Sequence, residues 1–139
     1  MRRPQRPLPM TSTETIPDDV RRFVLTSLPS VPHLEALLLF HGAPQAPRHA
    51  REVARLLYTA ERAAAELLEH LCEAGMLACD RAADPLYRYE PRDPALHEMI
   101  DRLAAVYASN LIAVTNLIHD STHKNARRFA DAFKLRKER

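Results

Sequence analysis

Hydrophobic residues recur at helical spacing through most of the chain and alternate with polar residues only in two short runs near its middle. Four segments predict helices, because each collects its apolar side chains on one face. These segments are residues 18–28, 33–41, 48–58 and 59–74. Residues 76–79 and 86–90 flank a polar, proline-containing loop and predict a β-hairpin. The pattern therefore predicts a mostly α-helical fold with one small hairpin.

Residues 52–77 carry the most specific pattern, because two helices, a tight break and the first strand follow one another without a long linker. On the second helix, Ala64, Leu67, Leu68 and Leu71 form one apolar face. Gly75 follows that helix, where a left-handed C-cap favours a residue without a Cβ atom. Helix, short turn, longer helix, glycine and strand is the sequence form of a winged helix-turn-helix.

Over residues 30–90 the chain resembles the small bacterial winged-helix transcription regulators of the MarR or PadR kind. The residues that carry the resemblance are Glu52-Val53-Ala54, Leu57, the Leu67-Leu68-x-x-Leu71 run and Glu73-Ala74-Gly75-Met76-Leu77. The chain departs from that family at Tyr58, a turn position that is often glycine. The resemblance implies that helix 59–74 enters the DNA major groove and that the hairpin is the wing.

The same resemblance implies a set of DNA contacts from the two helices and the wing. They are Arg51, Arg55, Thr59, Ala60, Glu61, Arg62, Glu66, Arg81 and Arg88. Arg62 suits guanine N7 and O6, and Glu61 suits the cytosine amino group. The arginines of the first helix and the wing suit backbone phosphates. However, residues 59–70 hold one arginine and three glutamates, which favours the alternative of a winged-helix adaptor that binds protein instead of DNA.

Residues 95–119 predict one long helix, whose apolar residues follow heptad-like spacing. Because residues 103–118 carry no charge, we expect this helix to be covered on two sides and to form a homodimer. The predicted interface consists of Leu96, Ile100, Leu103, Tyr107, Leu111, Val114 and Ile118. The alternative is that the helix only completes the core of one chain.

The formal net charge of +2 hides a strong separation along the 139 residues. Residues 1–13 carry three arginines and no acid, residues 14–120 have a net charge of −6, and residues 123–139 have a net charge of +5. We expect residues 1–15 to be a disordered basic tail, residues 16–91 the winged domain and residues 92–139 a helical extension.

The extension is expected to end in a basic helix over residues 123–137. Its predicted contacts are Arg127, Arg128, Lys134, Arg136 and Lys137. One interpretation is a solvated charged end whose two phenylalanines dock on the dimer. The alternatives are contacts with DNA phosphate, with a partner protein or, less favoured, with an anionic membrane surface.

Composition excludes several other functions. The only two glycines lie 33 residues apart, so neither common glycine-rich phosphate loop is present. No grouping of nucleophile, base and carboxylate stands out, so no enzyme activity, cofactor or metal site is predicted. Without a secretory signal, Cys72 and Cys79 are expected to be small buried residues of a cytoplasmic protein. The sequence thus predicts a dimeric winged-helix regulator of transcription.

Overall fold

The computed structural model describes residues 16–121, and these residues form six helices and three short strands. In chain order the elements are α1 (Asp18–Ser27), α2 (Val31–Gly42), β1 (Arg48–His49), α3 (Ala50–Leu57), α4 (Glu61–Glu73), β2 (Leu77–Cys79), β3 (Leu86–Tyr89), α5 (Pro94–Ser109) and α6, which is described for residues 111–121. The prediction of a mostly helical chain is confirmed, and the predicted hairpin is part of a small three-stranded antiparallel sheet. The basic tail at residues 1–15 and the basic helix at residues 123–137, with Arg127, Arg128, Lys134, Arg136 and Lys137, lie outside the described residues.

The described residues divide into two compact units, residues 16–29 with 105–121, and Ser30–Ala104. The second unit begins and ends later than the predicted winged domain at residues 16–91. In the first unit, Val20 and Val24 of α1 and Val114 of α6 are fully buried, and Ile118 of α6 is almost completely buried. Within residues 16–121 no single helix is long and apolar enough to cross a membrane. α1 and α2 reach the required length and composition only when they are counted together across the break between them.

In the Ser30–Ala104 unit, α2, α3 and α4 pack against one another and build the core. All four apolar residues predicted on the inner face of α4 are buried, and they are Ala64, Leu67, Leu68 and Leu71. Burying a leucine side chain contributes about 1.5–3 kcal/mol, so this face fixes how α4 is rotated about its axis. The opposite face of α4 is consequently directed to solvent.

The sheet has three antiparallel strands in the order β1-β3-β2. β2 and β3 form the predicted hairpin, but β1 was not predicted, because alternation cannot be recognised in a two-residue strand. Arg48 and His49 were expected in the first turn of a helix and pair with β3 instead, so α3 begins only at Ala50.

Two helix ends are stabilised by specific capping interactions. The Ser30 hydroxyl caps the start of α2. After α4, Gly75 has a left-handed φ of 81°, its N–H donates to the Cys72 carbonyl at 3.0 Å, and the Met76 N–H donates to the Leu71 carbonyl at 2.9 Å. This pair of bonds is the Schellman motif, and it turns the chain from α4 into β2.

The prediction of one continuous helix over residues 95–119 is wrong. α5 ends at Ser109, and α6 begins after Asn110. Serine and asparagine favour helix ends because their side chains compete for backbone hydrogen bonds. The Asn110 carbonyl accepts a 3.3 Å bond from the Val114 N–H, as the residue before a helix does. The break is therefore the start of a new helix.

Asp120 and Ser121, which lie beyond the predicted end of the helix at residue 119, are still helical. Four of the seven predicted interface residues are buried within the single chain, and they are Ile100, Leu103, Val114 and Ile118. Leu96 and Tyr107 are half-buried, whereas Leu111 is 51% exposed. The heptad pattern thus marks mainly intrachain packing, and the homodimer stays a prediction.

Candidate nucleic-acid interface

The turn between α3 and α4 holds an exposed aromatic residue in an unfavourable backbone conformation. Tyr58 has φ 55° and ψ 49°, the left-handed region that glycine and asparagine adopt most easily. Its neighbour Thr59 closes the turn with a 2.9 Å bond from its N–H to the Ala54 carbonyl. The Tyr58 side chain is 96% exposed and gains nothing from packing. A large side chain at such a position is a functional candidate, whereas its sequence position indicates only a departure from glycine.

The solvent face of α4 carries the residues predicted to contact bases. Ala60, Glu61, Arg62 and Glu66 are all exposed, and Thr59 is half-buried. Within residues 16–121 Arg62 makes no ion pair, so its guanidinium is available to an external acceptor. The positive end of the helix dipole lies at the same end of α4 and favours an anion there.

A three-residue cluster links α4 to the hairpin. The Arg81 guanidinium donates to Glu69 Oε1 at 2.6 Å, and the Tyr87 hydroxyl donates to Glu69 Oε2 at 2.7 Å. The hydrogen bond from Arg81, followed by that from Tyr87, lowers the pKa of Glu69. Burial, followed by the bond to Glu69, raises the pKa of Tyr87. Arg81, predicted to hold a phosphate, is therefore already bound to a carboxylate of α4.

A second pair links α3 to the loop of the hairpin. One nitrogen of Arg51 lies 3.1 Å from both carboxylate oxygens of Asp84. His49 Nδ1 lies 3.4 Å from the same carboxylate and 2.9 Å from the Pro85 carbonyl. The loop keeps its shape through Asp80, whose carboxylate accepts two backbone N–H bonds at 3.1 Å. Sequence reasoning missed Asp84, because only the fold brings it to Arg51, 33 residues away.

The other two predicted phosphate contacts are arranged differently. Arg55 on α3 and Arg88 on β3 are exposed, and neither forms an ion pair with a residue between 16 and 121. Arg88 points away from the core because its strand neighbour Tyr87 is buried. Three guanidiniums, those of Arg55, Arg62 and Arg88, are thus available, and two more, those of Arg51 and Arg81, are held by carboxylates.

The interface as a whole is not basic. Residues 48–90 contain six arginines and eight aspartates or glutamates. Asp84 and Glu69 each neutralise the positive charge of an arginine that would otherwise attract DNA phosphate. Within the described residues, the surface therefore presents three unpaired arginines to an anionic ligand. Two more, Arg51 and Arg81, become available when the ligand replaces the carboxylates that bind them. In comparisons with protein-family models, curated proteins and solved structures, no match to this chain is found.

Proposed function

We propose that the chain is a DNA-binding regulator of transcription of the winged-helix type, with α4 in the major groove. The observation that carries the proposal is the order of elements, α2-β1-α3-α4-β2-β3, with the sheet order β1-β3-β2. In this arrangement β1 precedes the helix pair and completes the sheet beside the hairpin. The buried face of α4 leaves its other face, with Arg62, for the groove.

The roles follow from charge and exposure. Arg62 reads a base through its two parallel N–H donors, for which guanine is the best partner. Arg55 of α3 and Arg88 of β3 hold backbone phosphates. Arg51 and Arg81 stay bound to Asp84 and Glu69 in the free protein and exchange these carboxylates for phosphates on DNA. The exchange is feasible because exposed ion pairs add little stability.

A homodimer is part of the proposal, because two copies related by a twofold axis would bind a palindromic site. In the described residues, the apolar surface that a second copy would cover lies at the start of α6. There Leu111 is 51% exposed and Ile112 is 68% exposed. Sedimentation equilibrium of the Ile112→Asp variant tests this contact. If the variant and the wild type have the same mass, this contact is excluded.

The experiment for DNA binding is a selection from a random-sequence duplex library, followed by fluorescence anisotropy at several salt concentrations. Replacing Arg62 by alanine should weaken binding to the selected site by about 1–3 kcal/mol and relax its sequence preference. Arg22→Ala is the matched control, because Arg22 is an exposed arginine on α1, outside the candidate interface. Equal losses for the two variants would count against α4 as the reading helix.

A second function is favoured by one observation, the excess of eight acids over six arginines in residues 48–90. On this alternative, Glu61 and Glu66 face a basic protein partner and α4 does not enter DNA. Asp84→Asn separates the two functions, since it releases Arg51 without changing a predicted contact.

If α4 binds DNA, the Asp84→Asn variant should bind more tightly, because Arg51 no longer has to leave a carboxylate. The slope of log K against log salt should stay the same, since Arg51 contacts a phosphate in both complexes. Glu98→Gln is the control, because it removes one exposed carboxylate from α5, away from the interface. If Asp84→Asn and Glu98→Gln change the affinity equally, only net charge matters. The adaptor is then the better account.

A further inference from the structure

A groove lies on the Ser30–Ala104 unit, away from the exposed face of α4. It has a volume of about 680 Å³ and is formed by the end of α2, by β3, by the connection to α5 and by the first two turns of α5. Its lining residues include three prolines, at positions 44, 91 and 94, which keep the walls stiff. Small-molecule sites measure about 300–1,000 Å³, so the groove is large enough for a compact organic ligand.

Three rings line this groove around one carboxylate. The ring of His41 meets Tyr89 edge to face, with centroids 5.7 Å apart, and the ring of His97 is tilted against Tyr89 at 5.8 Å. Asp101 Oδ1 lies 2.8 Å from His41 Nε2 and 3.9 Å from His97 Nε2. Half of the Asp101 side chain stays exposed. A ligand in the groove can therefore reach both the carboxylate and the ring faces.

The hydroxyl of Tyr89 is buried and has no hydrogen-bond partner among the described residues. Burial, followed by the nearby charge of Asp101, raises the pKa of this hydroxyl to about 12, so it keeps its proton at neutral pH. Buried hydroxyls are normally paired, and an unpaired one calls for a specific explanation. Within residues 16–121 the Tyr89 O–H is therefore an unpaired hydrogen-bond donor beside the ring face that a ligand in the groove would cover.

The charge of the groove favours a cation. Its lining contains the carboxylates of Glu90, Asp93 and Asp101 against the single guanidinium of Arg92. That guanidinium is already engaged, since its Nη1 donates to the Ala74 carbonyl at 2.8 Å and its Nε lies 3.6 Å from Asp93.

The start of α5 does not offer a site for an anion. Asp93 occupies it by accepting the Leu96 N–H at 2.8 Å, as an N-cap does. A metal site is not assigned either, because in the described part of the chain no group of three or more His, Cys, Asp or Glu side chains is arranged to hold a metal ion.

From this combination we propose that the groove binds a small organic cation, an ammonium compound with an aromatic or cyclic body. The ammonium group lies between Asp101 and the faces of the surrounding rings, where the carboxylate and the ring quadrupoles both attract positive charge. The apolar body lies along the prolines. This site is independent of DNA binding, since it uses none of the residues assigned to that function.

The test is calorimetric titration of the full chain with benzyltrimethylammonium, benzyl alcohol and phenylacetate, three probes of similar size that differ in charge. The cation should bind at least about fivefold more tightly than the neutral alcohol, as expected for one nearby opposite charge in solvated surroundings. The anion should bind weakest. Asp101→Asn should remove the preference for the cation, whereas Glu98→Gln, the same change elsewhere on α5, should preserve it.

A measurement on the unaltered protein keeps the proposal testable if Asp101→Asn fails to fold. In the wild type, the cation should shift the NMR signals of the His41 and His97 rings and leave those of His33 unshifted. The proposal is overturned if the cation binds no better than the neutral or anionic probe, or if Asp101→Asn folds and keeps the preference. It is also overturned if the cation binds only after residues 1–15 are removed, because the occupant is then the arginine-rich start of the chain.

Discussion

Gly75 is the position where a single methyl group should disturb the connection between α4 and the hairpin. Its φ of 81° is left-handed, and a Cβ atom there would lie 2.5 Å from Arg92 Nη1 and 3.0 Å from Arg92 Cδ. In the native structure Arg92 crosses over Gly75, and its guanidinium donates to the Ala74 carbonyl. Gly75→Ala therefore introduces both backbone strain and a clash with a side chain.

The expected magnitude follows from three contributions. A residue with a Cβ in the left-handed region loses about 1–2 kcal/mol. Displacing Arg92 gives up one exposed hydrogen bond, which is worth about 0.5–1 kcal/mol after water replaces it. Alanine also lowers the conformational entropy of the unfolded chain, which raises the free energy of unfolding by about 0.4–1 kcal/mol. Gly75→Ala should therefore lower the free energy of unfolding by about 1.5 kcal/mol.

Urea titration followed by circular dichroism measures this loss, which is about a 1 M shift of the midpoint for a slope near 1.5 kcal/mol per molar urea. Gly42→Ala is the matched control, because Gly42 ends α2 and a Cβ there meets no described atom within 4 Å. It should be neutral or should add up to about 1 kcal/mol. In an Arg92→Ala background the clash is absent, so Gly75→Ala should cost less by about 0.5–1 kcal/mol.

Two results would refute this reasoning. If Gly75→Ala is as stable as the wild type, the left-handed backbone at this position is not a constraint. If its effect is the same with and without Arg92, the contact between the two residues carries no energy. The functional consequence is geometric, since Gly75 sets the angle at which the hairpin leaves α4.

Three further predictions concern other residues. Burial, together with the neighbouring His70, lowers the pKa of His33. Because the unfolded chain then binds more protons than the folded one, the free energy of unfolding should decrease as the pH falls below 6.5. Urea titrations between about pH 7 and 5 should show this decrease mainly in the wild type and much less in His33→Gln. Cys72 and Cys79 are half-buried and not fully buried as expected. Partial burial still raises the pKa of Cys72 to about 12, so peptide mapping should find it alkylated by iodoacetamide at least about tenfold more slowly than free cysteine, and equal rates would contradict the raised pKa. Tyr58→Asn should change the free energy of unfolding by less than ~0.5 kcal/mol, because the ring is exposed and asparagine tolerates a left-handed backbone; a larger loss in the urea titration would show that the ring is packed.

Much of the fold could be predicted because it depends on local signals. The inner face of α4 follows from the spacing of its leucines, and Gly75 follows from the need for a left-handed C-cap. The strand β1 could not be predicted, since two residues acquire a strand conformation only through pairing with β3. The break at Asn110 was also missed, because the heptad pattern continues through it and only Ser109 and Asn110 signal a helix end.

The candidate interface shows a different limit of sequence reasoning. Periodicity located the exposed face of α4 and therefore Arg62 correctly on the surface. Charge cannot be assigned in the same way, because the acids that bind Arg51 and Arg81 lie 33 and 12 residues away along the chain. A count of charges over residues 48–90 is the same whether these arginines are paired or free.

The ion pairs within the protein determine which charged side chains a ligand contacts first. Around α4, Arg62, Glu61 and Glu66 meet it directly, whereas Arg81 must first leave Glu69. DNA would therefore bind in two stages, with a weak contact through the available arginines and a stronger one after the carboxylates are displaced. A basic protein segment would instead gain from the exposed glutamates and would leave both ion pairs in place. The DNA affinity of Asp84→Asn, compared with that of Glu98→Gln, separates these cases, because the release of Arg51 adds to the loss of one negative charge only if phosphate displaces Asp84 in the complex.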